Sequence, residues 1–307
     1  MPMISIQQMQ YIIALNEEKQ FQRASEVCFV SQPTLSMQVK KAEEMLGGVL
    51  FDRSRFPLEL TDFGSEMIVV FQDVLQEFAK IKELVQKKDG AFIEEIRMAI
   101  IPTVSGYMLP DLYGQWKDSL PSVQLSIEEM KTEELLIAME SRKIDVAILA
   151  GPESNLKWRT IPLFQEEIWA YMPNYEGQNI HVDVLKDYHP WLLTQGNCLR
   201  TQMVSFCELR GNPSLDDWDY EGGNIGLLEN MVEKHGGYTL VPHYFIKKMT
   251  DNYKRLSTSD GVHPAREVIA LVSNRNPKWK NIEILIRQIQ LKYGSIKNTD
   301  LRILNWK

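Results

Sequence analysis

Apolar residues recur at helical spacing from the start of the chain. Ile6, Met9, Ile12 and Ile13 lie three or four residues apart, with Ser5 ahead of them as an N-cap, so a helix is predicted over about 6–18. A second, short helix is predicted over about 21–29, with Phe21, Ala24, Val27 and Cys28 facing inward. A cysteine in that place reads as a small core hydrophobe. A third helix starts at Ser31, carries Pro33 in its first turn and stops at Gly47. Residues 49–51 and 58–60 read as two short strands around a polar tip. From about 61 to 88, Phe63, Met67, Val70, Phe71, Val74, Phe78, Ile81 and Val85 trace one apolar stripe along a long helix. No partner for that stripe is evident before Gly90, so burial against a second copy of the chain is expected.

Past Gly90 the pattern changes. Apolar or alternating runs at 96–100, 123–127, 144–149, 167–171, 191–194, 238–241 and 268–272 predict strands. Helical stretches near 109–117, 132–141, 199–209 and 279–293 separate several of them. The fold class is therefore α/β, with mainly parallel strands, behind a helix-rich N-terminal region.

Composition narrows the function classes. A chain of 307 residues suggests two or three domains. The net charge of −7 and the pI near 5.4 exclude a generally sticky polycation but leave room for a local basic surface. No apolar run reaches the length of a membrane span, and MPMISIQQMQ is not built like a signal peptide. Three cysteines without such a leader fit a reducing cytoplasm. His181, His189, His235, His243 and His263 show no metal-ligand spacing, and no phosphate-binding glycine loop is present, so no metal or cofactor is expected.

Two stretches carry candidate chemistry. The first turn of the third helix holds Gln32, Thr34 and Ser36, and Lys40 and Lys41 follow. Glutamine can make two hydrogen bonds to adenine, while hydroxyls and lysines suit base edges and phosphates. Two short helices followed by a helix with a polar first turn have the form of a helix-turn-helix. Arg53 and Arg55 at the tip of the strand pair would place cations beside a phosphate backbone, as a wing does.

The other stretch is GNCLRTQMVSFCELRG, residues 196–211, with Cys198 and Cys207. Arg200 lies two residues after the first cysteine, and a nearby cation favours thiolate over thiol. A sulfenic acid at one cysteine can be captured by another as a disulfide. Nine residues of continuous helix separate Cα atoms by roughly 13 Å at about 1.5 Å per residue. A disulfide needs them within about 7 Å. If the reduced segment is helical, the bond requires remodelling. The plainer alternative is that both cysteines only pack.

These features resemble a known family. The pattern Ala24-Ser25-Glu26, Ser31-Gln32-Pro33, Ser36, Leu46-Gly47, Leu50-Phe51-Asp52-Arg53 and Leu60-Thr61 followed by Gly64 resembles the DNA-binding domain of LysR-type transcriptional regulators. The Cys-Leu-Arg string with a second cysteine after Phe206 resembles the sensing segment of the OxyR-like peroxide sensors within that family. Met37 and Ala42 depart from its usual residues, which bears on operator choice and local packing. So does Asn197, where the sensors commonly have histidine; asparagine cannot titrate near neutrality.

The resemblance implies a winged helix-turn-helix over 1–61, a linker and dimerisation helix over 62–90, and a regulatory domain over 91–307. That domain would hold two α/β subdomains of periplasmic-binding-protein type, at about 92–165 plus 270–296 and at about 166–269. It implies Cys198 as the peroxide-attacking thiol, Cys207 as its resolving partner, and a pocket of Thr103, Thr132, Asn197, Arg200 and Gln202, with Arg275 as a further basic position. Ser31, Gln32, Pro33, Thr34, Ser36, Lys40, Arg53 and Arg55 would meet DNA. The implied partners are operator DNA, hydrogen peroxide, further copies in a homodimer or homotetramer, and RNA polymerase, for a cytoplasmic regulator that is not an enzyme. The alternatives are a LysR-type regulator with an ordinary small-molecule effector in its cleft, or a thiol peroxidase, which has no need of a winged helix.

Overall fold

The structure, a computed structural model, describes residues 4–88, 93–151, 158–206, 224–258, 261–274, 276–294 and 300–304. The chain divides into two compact units, residues 1–92 and 93–307.

The first unit opens with α1 (Ile6–Glu18), α2 (Phe21–Val27) and α3 (Gln32–Leu46). Local chemistry sets their ends. Ser5 and Gln8 form a reciprocal capping box on α1. The Ser31 side chain accepts from the Thr34 N–H, and Gly47 ends α3 in the left-handed region at φ 73°. Between α2 and α3 the chain turns through Phe29 at φ 55°, left-handed backbone that disfavours a bulky side chain. The wing is smaller than its pattern suggests: β1 (Phe51–Asp52) pairs antiparallel with β2 (Glu59–Leu60). Ile12, Leu15, Leu35, Val39 and Leu50 fill the core. α4 (Asp62–Lys88) packs closely on this core at Gly64, where an added Cβ would lie 2.1 Å from the Leu50 carbonyl oxygen.

The stripe on α4 does have a partner in its own unit, contrary to expectation. Ile68 and Phe71 are buried in the core, and Phe63, Met67, Val74 and Leu75 pack on it. Val70, Phe78 and Ile81 remain exposed at 49, 40 and 55%. The apolar face is thus only partly used within this unit: Ile68 and Phe71 complete the winged helix, while Val70, Phe78 and Ile81 do not.

The second unit comprises β3 (Glu94–Ile100), α5 (Pro102–Ser119), β4 (Val123–Glu129), α6 (Thr132–Glu140), β5 (Val146–Ala150), β6 (Trp158–Tyr171), β7 (Asn179–His181), α7 (Cys198–Phe206), α8 (Ile225–His235), β8 (Thr239–Pro242), β9 (Tyr253–Ser257), β10 (His263–Ser273), α9 (Trp279–Tyr293) and β11 (Leu301–Ile303). The strands run in the order β4-β3-β5-β10-β6-β9-β7, with β11 also on β10 and β8 on β6. Two cores lie along this path. The first includes Ile96, Met98, Trp116, Ile148 and Leu285; the second includes Ile168, Leu185, Leu228, Tyr238 and Leu256. β6 serves both, with Phe164 in the first and Ile168 in the second. Two α/β subdomains joined by long strands are the result.

The sheet is mixed rather than mainly parallel. β3 is parallel to β4 and β5, but the connecting strands β6 and β10 are antiparallel to each other and β10 is antiparallel to β5. Residues 191–194 form no strand, although they are apolar. Side chains take their carbonyls instead: Thr239 Oγ1 donates to Trp191 O, Arg200 to Leu193 O, and Asn197 Nδ2 to Thr194 O. α5 starts at Pro102 and runs through Pro110, where the sequence pattern placed its start at about 109. α8, β7, β9 and β11 were not anticipated.

Candidate functional site

The site is built on α7. Cys198 opens this helix and is 2% exposed. Its side chain belongs to the first core, while Leu199 and Met203 are buried in the second. The thiol therefore sits between the subdomains, at the positive end of a helix. The chain enters α7 through Gly196 at φ 83°, held against the Lys131 side chain, so that an added Cβ would lie 3.3 Å from Lys131 Cδ. Thr132 follows Lys131 as the first residue of α6 and is 1% exposed. Its hydroxyl has no hydrogen-bond partner among the described residues.

Gln202 stands one turn after Cys198 on the same helical face. Its Nε2 donates to the Leu304 carbonyl at 3.1 Å, and its Oε1 is buried without a partner among the described residues. Asn197 turns back on its own loop, with Nδ2 donating to Thr194 Oγ1 at 3.0 Å. Arg200 donates to Leu193 O at 2.7 Å and so anchors the first turn of α7 to the preceding loop.

The cation closest in role to the thiol is one that sequence reading missed. Arg266, on β10, is completely buried. Its guanidinium donates to Thr103 Oγ1 at 2.8 Å and to Thr103 O at 3.0 Å. Its Nε donates to Glu166 Oε1 at 2.8 Å, and Tyr107 donates to that same oxygen at 2.8 Å. Burial works against the charge on Arg266. Glu166 outweighs it, with Tyr107 and Cys198 adding to the effect, and the arginine pKa lies above its ordinary value. Burial raises the Glu166 carboxyl pKa and Arg266 opposes it. Glu166 Oε2 has no partner among the described residues. A charged pair, Arg266-Glu267, just ahead of the apolar run of β10 was the available signal for Arg266. Its partners lie 100 and 163 residues away, beyond any local pattern. Arg275, the basic position suggested by resemblance, and Cys207 lie outside the described residues.

The second candidate surface is the polar start of α3 with the wing. Ser31 and Thr34 share a hydroxyl–hydroxyl bond of 2.7 Å, and Pro33 and Lys40 are exposed while Gln32 and Ser36 are half-buried. A concavity of about 440 Å³ is lined by Lys19, Gln20, Gln22, Gln32, Arg53 and Arg55 among others. The wing cations are not idle. Arg53 pairs with Glu43 at 2.7 Å and lies 5.6 Å over the Phe21 ring. Glu43 also accepts from the Leu50 N–H, so this pair fastens the wing to α3. Arg55 pairs with Glu59 at 2.6 Å on the exposed tip.

Comparison with known proteins agrees with this division. Residues 6–65 match the family described as bacterial regulatory helix-turn-helix protein, lysR family, and residues 90–290 match the LysR substrate binding domain. A hydrogen peroxide-inducible genes activator of Dickeya chrysanthemi is 31% identical over 243 residues, 78% of this chain and 79% of that protein. The DNA-binding transcriptional dual regulator OxyR of Escherichia coli K12 is 30% identical over the same length, with coverage of 78% and 79%. A full-length OxyR variant from Pseudomonas aeruginosa superposes with a TM-score of 0.71 at 28% identity, covering 94% of this chain and 98% of that one. With both of its units matched, this chain belongs to the LysR family of bacterial regulatory helix-turn-helix proteins.

Proposed function

We propose that this protein is a DNA-binding transcriptional regulator that senses hydrogen peroxide through Cys198. One observation carries the reading. A buried thiol opens α7 where the two cores meet, and two buried side-chain oxygens, Gln202 Oε1 one turn further along α7 and Thr132 Oγ1 at the start of α6, have no partner among the described residues. Buried polar atoms are nearly always satisfied, so such a pair suits water or a small polar ligand. Hydrogen peroxide, with two hydroxyls, suits it. The names of the relatives point the same way.

In the reaction, the Cys198 thiolate attacks one peroxide oxygen. An S–O bond forms, the O–O bond breaks, and the other oxygen leaves as hydroxide, taking up a proton to become water. Sulfur is oxidised to the sulfenic acid and peroxide is reduced. Cys207 then attacks that sulfur and expels a second water as the disulfide forms. Arg266 supplies positive charge at the nucleophile, Thr103 holds Arg266, and Asn197 shapes the turn rather than exchanging protons. Arg200 anchors the reduced helix. Peptide mapping after a brief, near-stoichiometric peroxide pulse tests the reading. The expected product is a Cys198–Cys207 disulfide with a changed footprint on DNA; two unmodified thiols would overturn it.

Ser31, Gln32, Pro33, Thr34, Ser36 and Lys40 form the groove-reading side of the regulator, and Arg53 and Arg55 flank the phosphates. Lys40→Ala and Arg55→Ala should each lower the slope of log affinity against log salt by about 0.9, on specific and random DNA alike. Arg53→Ala should do this and also lower the melting temperature, because Glu43 loses its charged partner. Fluorescence anisotropy across a salt series reads both.

Regulators of this family oligomerise, and here the later turns of α4 provide the self-contact. Phe78→Glu with Ile81→Glu would bury carboxylates there and should dissociate the assembly. Sedimentation of an unchanged oligomer would place the contact elsewhere. Val74 is unsuited to this test, since it packs on the winged-helix core. An assembled, oxidised regulator would then act on transcription through contact with RNA polymerase.

A further inference from the structure

The C-terminal strand reaches the sensing site. β11 pairs in parallel with the start of β10, Leu301 opposite His263 and Ile303 opposite Ala265. The ladder is fastened at both ends, by His263 N–H donating to Asp300 O at 2.8 Å and Leu304 N–H donating to Ala265 O at 2.7 Å. Ala265 immediately precedes Arg266. At Leu304, which is 8% exposed, the carbonyl accepts from Gln202 on α7 at 3.1 Å. One residue of the tail thus touches both the strand that carries Arg266 and the helix that carries Cys198.

The bond from Gln202 decides which way its amide faces. Nε2 donates to Leu304, so Oε1 faces the other way, buried and without a partner among the described residues. An amide free to turn would present either a donor or an acceptor. We infer that β11 and Leu304 are a positioning element of the sensor: the Leu304 carbonyl fixes the Gln202 amide so that Oε1 accepts a hydrogen bond from the peroxide oxygen attacked by Cys198. That oxygen keeps its hydrogen as it becomes the sulfenic acid, so an acceptor there aligns the O–O bond without removing a proton. The inference rests on the peroxide-sensing reading of the same site. It also makes the tail a clasp on reduced α7, since unwinding the helix must break the Gln202–Leu304 bond.

The test uses the full chain and two variants: one ending at Thr299, which lacks β11, and Leu304→Pro, which removes the N–H bonded to Ala265 while keeping a carbonyl. Rates of Cys198 oxidation by peroxide are measured by stopped flow, beside alkylation of the same thiol by iodoacetamide, which needs no aligned O–O bond. Oxidation should slow on the order of ten- to hundredfold in both variants, as misplacement of a reacting group does, while alkylation does not fall. In a Gln202→Leu background the same changes should have no further effect, because the tail acts through that amide. Equal oxidation rates with and without the bond, or fully additive losses, would overturn the inference. A fall in both reactions together would do so as well, reducing the tail to a structural prop. If truncation unfolds the domain, Leu304→Pro carries the test alone. Failure of the underlying peroxide reading would look different, since the unaltered chain would then show no Cys198 oxidation.

Discussion

Cys198→Ser is expected to abolish every peroxide-dependent change in DNA binding. No thiolate remains to attack the O–O bond, and serine at this position is no substitute nucleophile for peroxide. Binding to DNA itself should persist, because the winged helix belongs to a separate compact unit. Cys207→Ser should behave differently, consuming peroxide but stopping at a sulfenic acid trappable by a dimedone-type reagent. In the unaltered protein, oxidation should raise hydrogen exchange across 199–206. The reason is geometric. α7 is continuous from Cys198 to Phe206, and a helix of that length holds its ends roughly 12 Å apart, too far for a disulfide. A full response in Cys198→Ser would remove the thiol from the mechanism and favour a diffusible effector between the subdomains.

Arg266→Met should have the largest effect on stability. The pair with Glu166 is wholly out of water, and removing one partner of a buried pair costs about 3–5 kcal/mol. For a unit of this size that lowers the melting temperature on the order of 10 °C. A matched change, Glu166→Leu with Arg266→Met, should recover much of the loss, since no uncompensated charge remains. The peroxide rate should not recover, because the positive charge proposed to assist Cys198 is still gone. Calorimetry with stopped-flow oxidation separates the two. If the double variant regains speed as well as stability, Arg266 is structural and Cys198 draws nothing from it.

Sequence reading succeeded where neighbouring residues decide the outcome. Ser31, Pro33 and Gly47 bound α3 by capping chemistry within a few residues, and the structure places both ends within a residue of the pattern. Cys198, Thr132, Asn197 and Gln202, named from the resemblance, are all buried along α7 and the start of α6. What escaped was settled by distant partners. Residues 191–194 look like a strand, but side chains capture their carbonyls. β7 and β11 have three residues each, too few for alternation to register. Arg266 meets Thr103 across 163 residues, and Gln202 meets Leu304 across 102. The α4 stripe was read rightly as apolar, yet periodicity could not tell which of its residues pack on the winged helix and which stay exposed.

The division of α7 between two cores has an electrochemical consequence. Leu199 and Met203 are fully buried in the second subdomain only while the helix is intact. In the proposed mechanism a disulfide that unwinds α7 would draw them out, so their burial would stabilise the dithiol against the oxidised form. That packing would then be part of the proposed redox couple. It shifts the midpoint potential upward by about 30 mV for each 1.4 kcal/mol it contributes to the reduced state. A buried leucine contributes about 1.5–3 kcal/mol. The oxidant level at which the sensor trips is therefore written partly in aliphatic side chains that never touch peroxide, and lineages could retune it by trimming a methylene while leaving the reactive thiol alone.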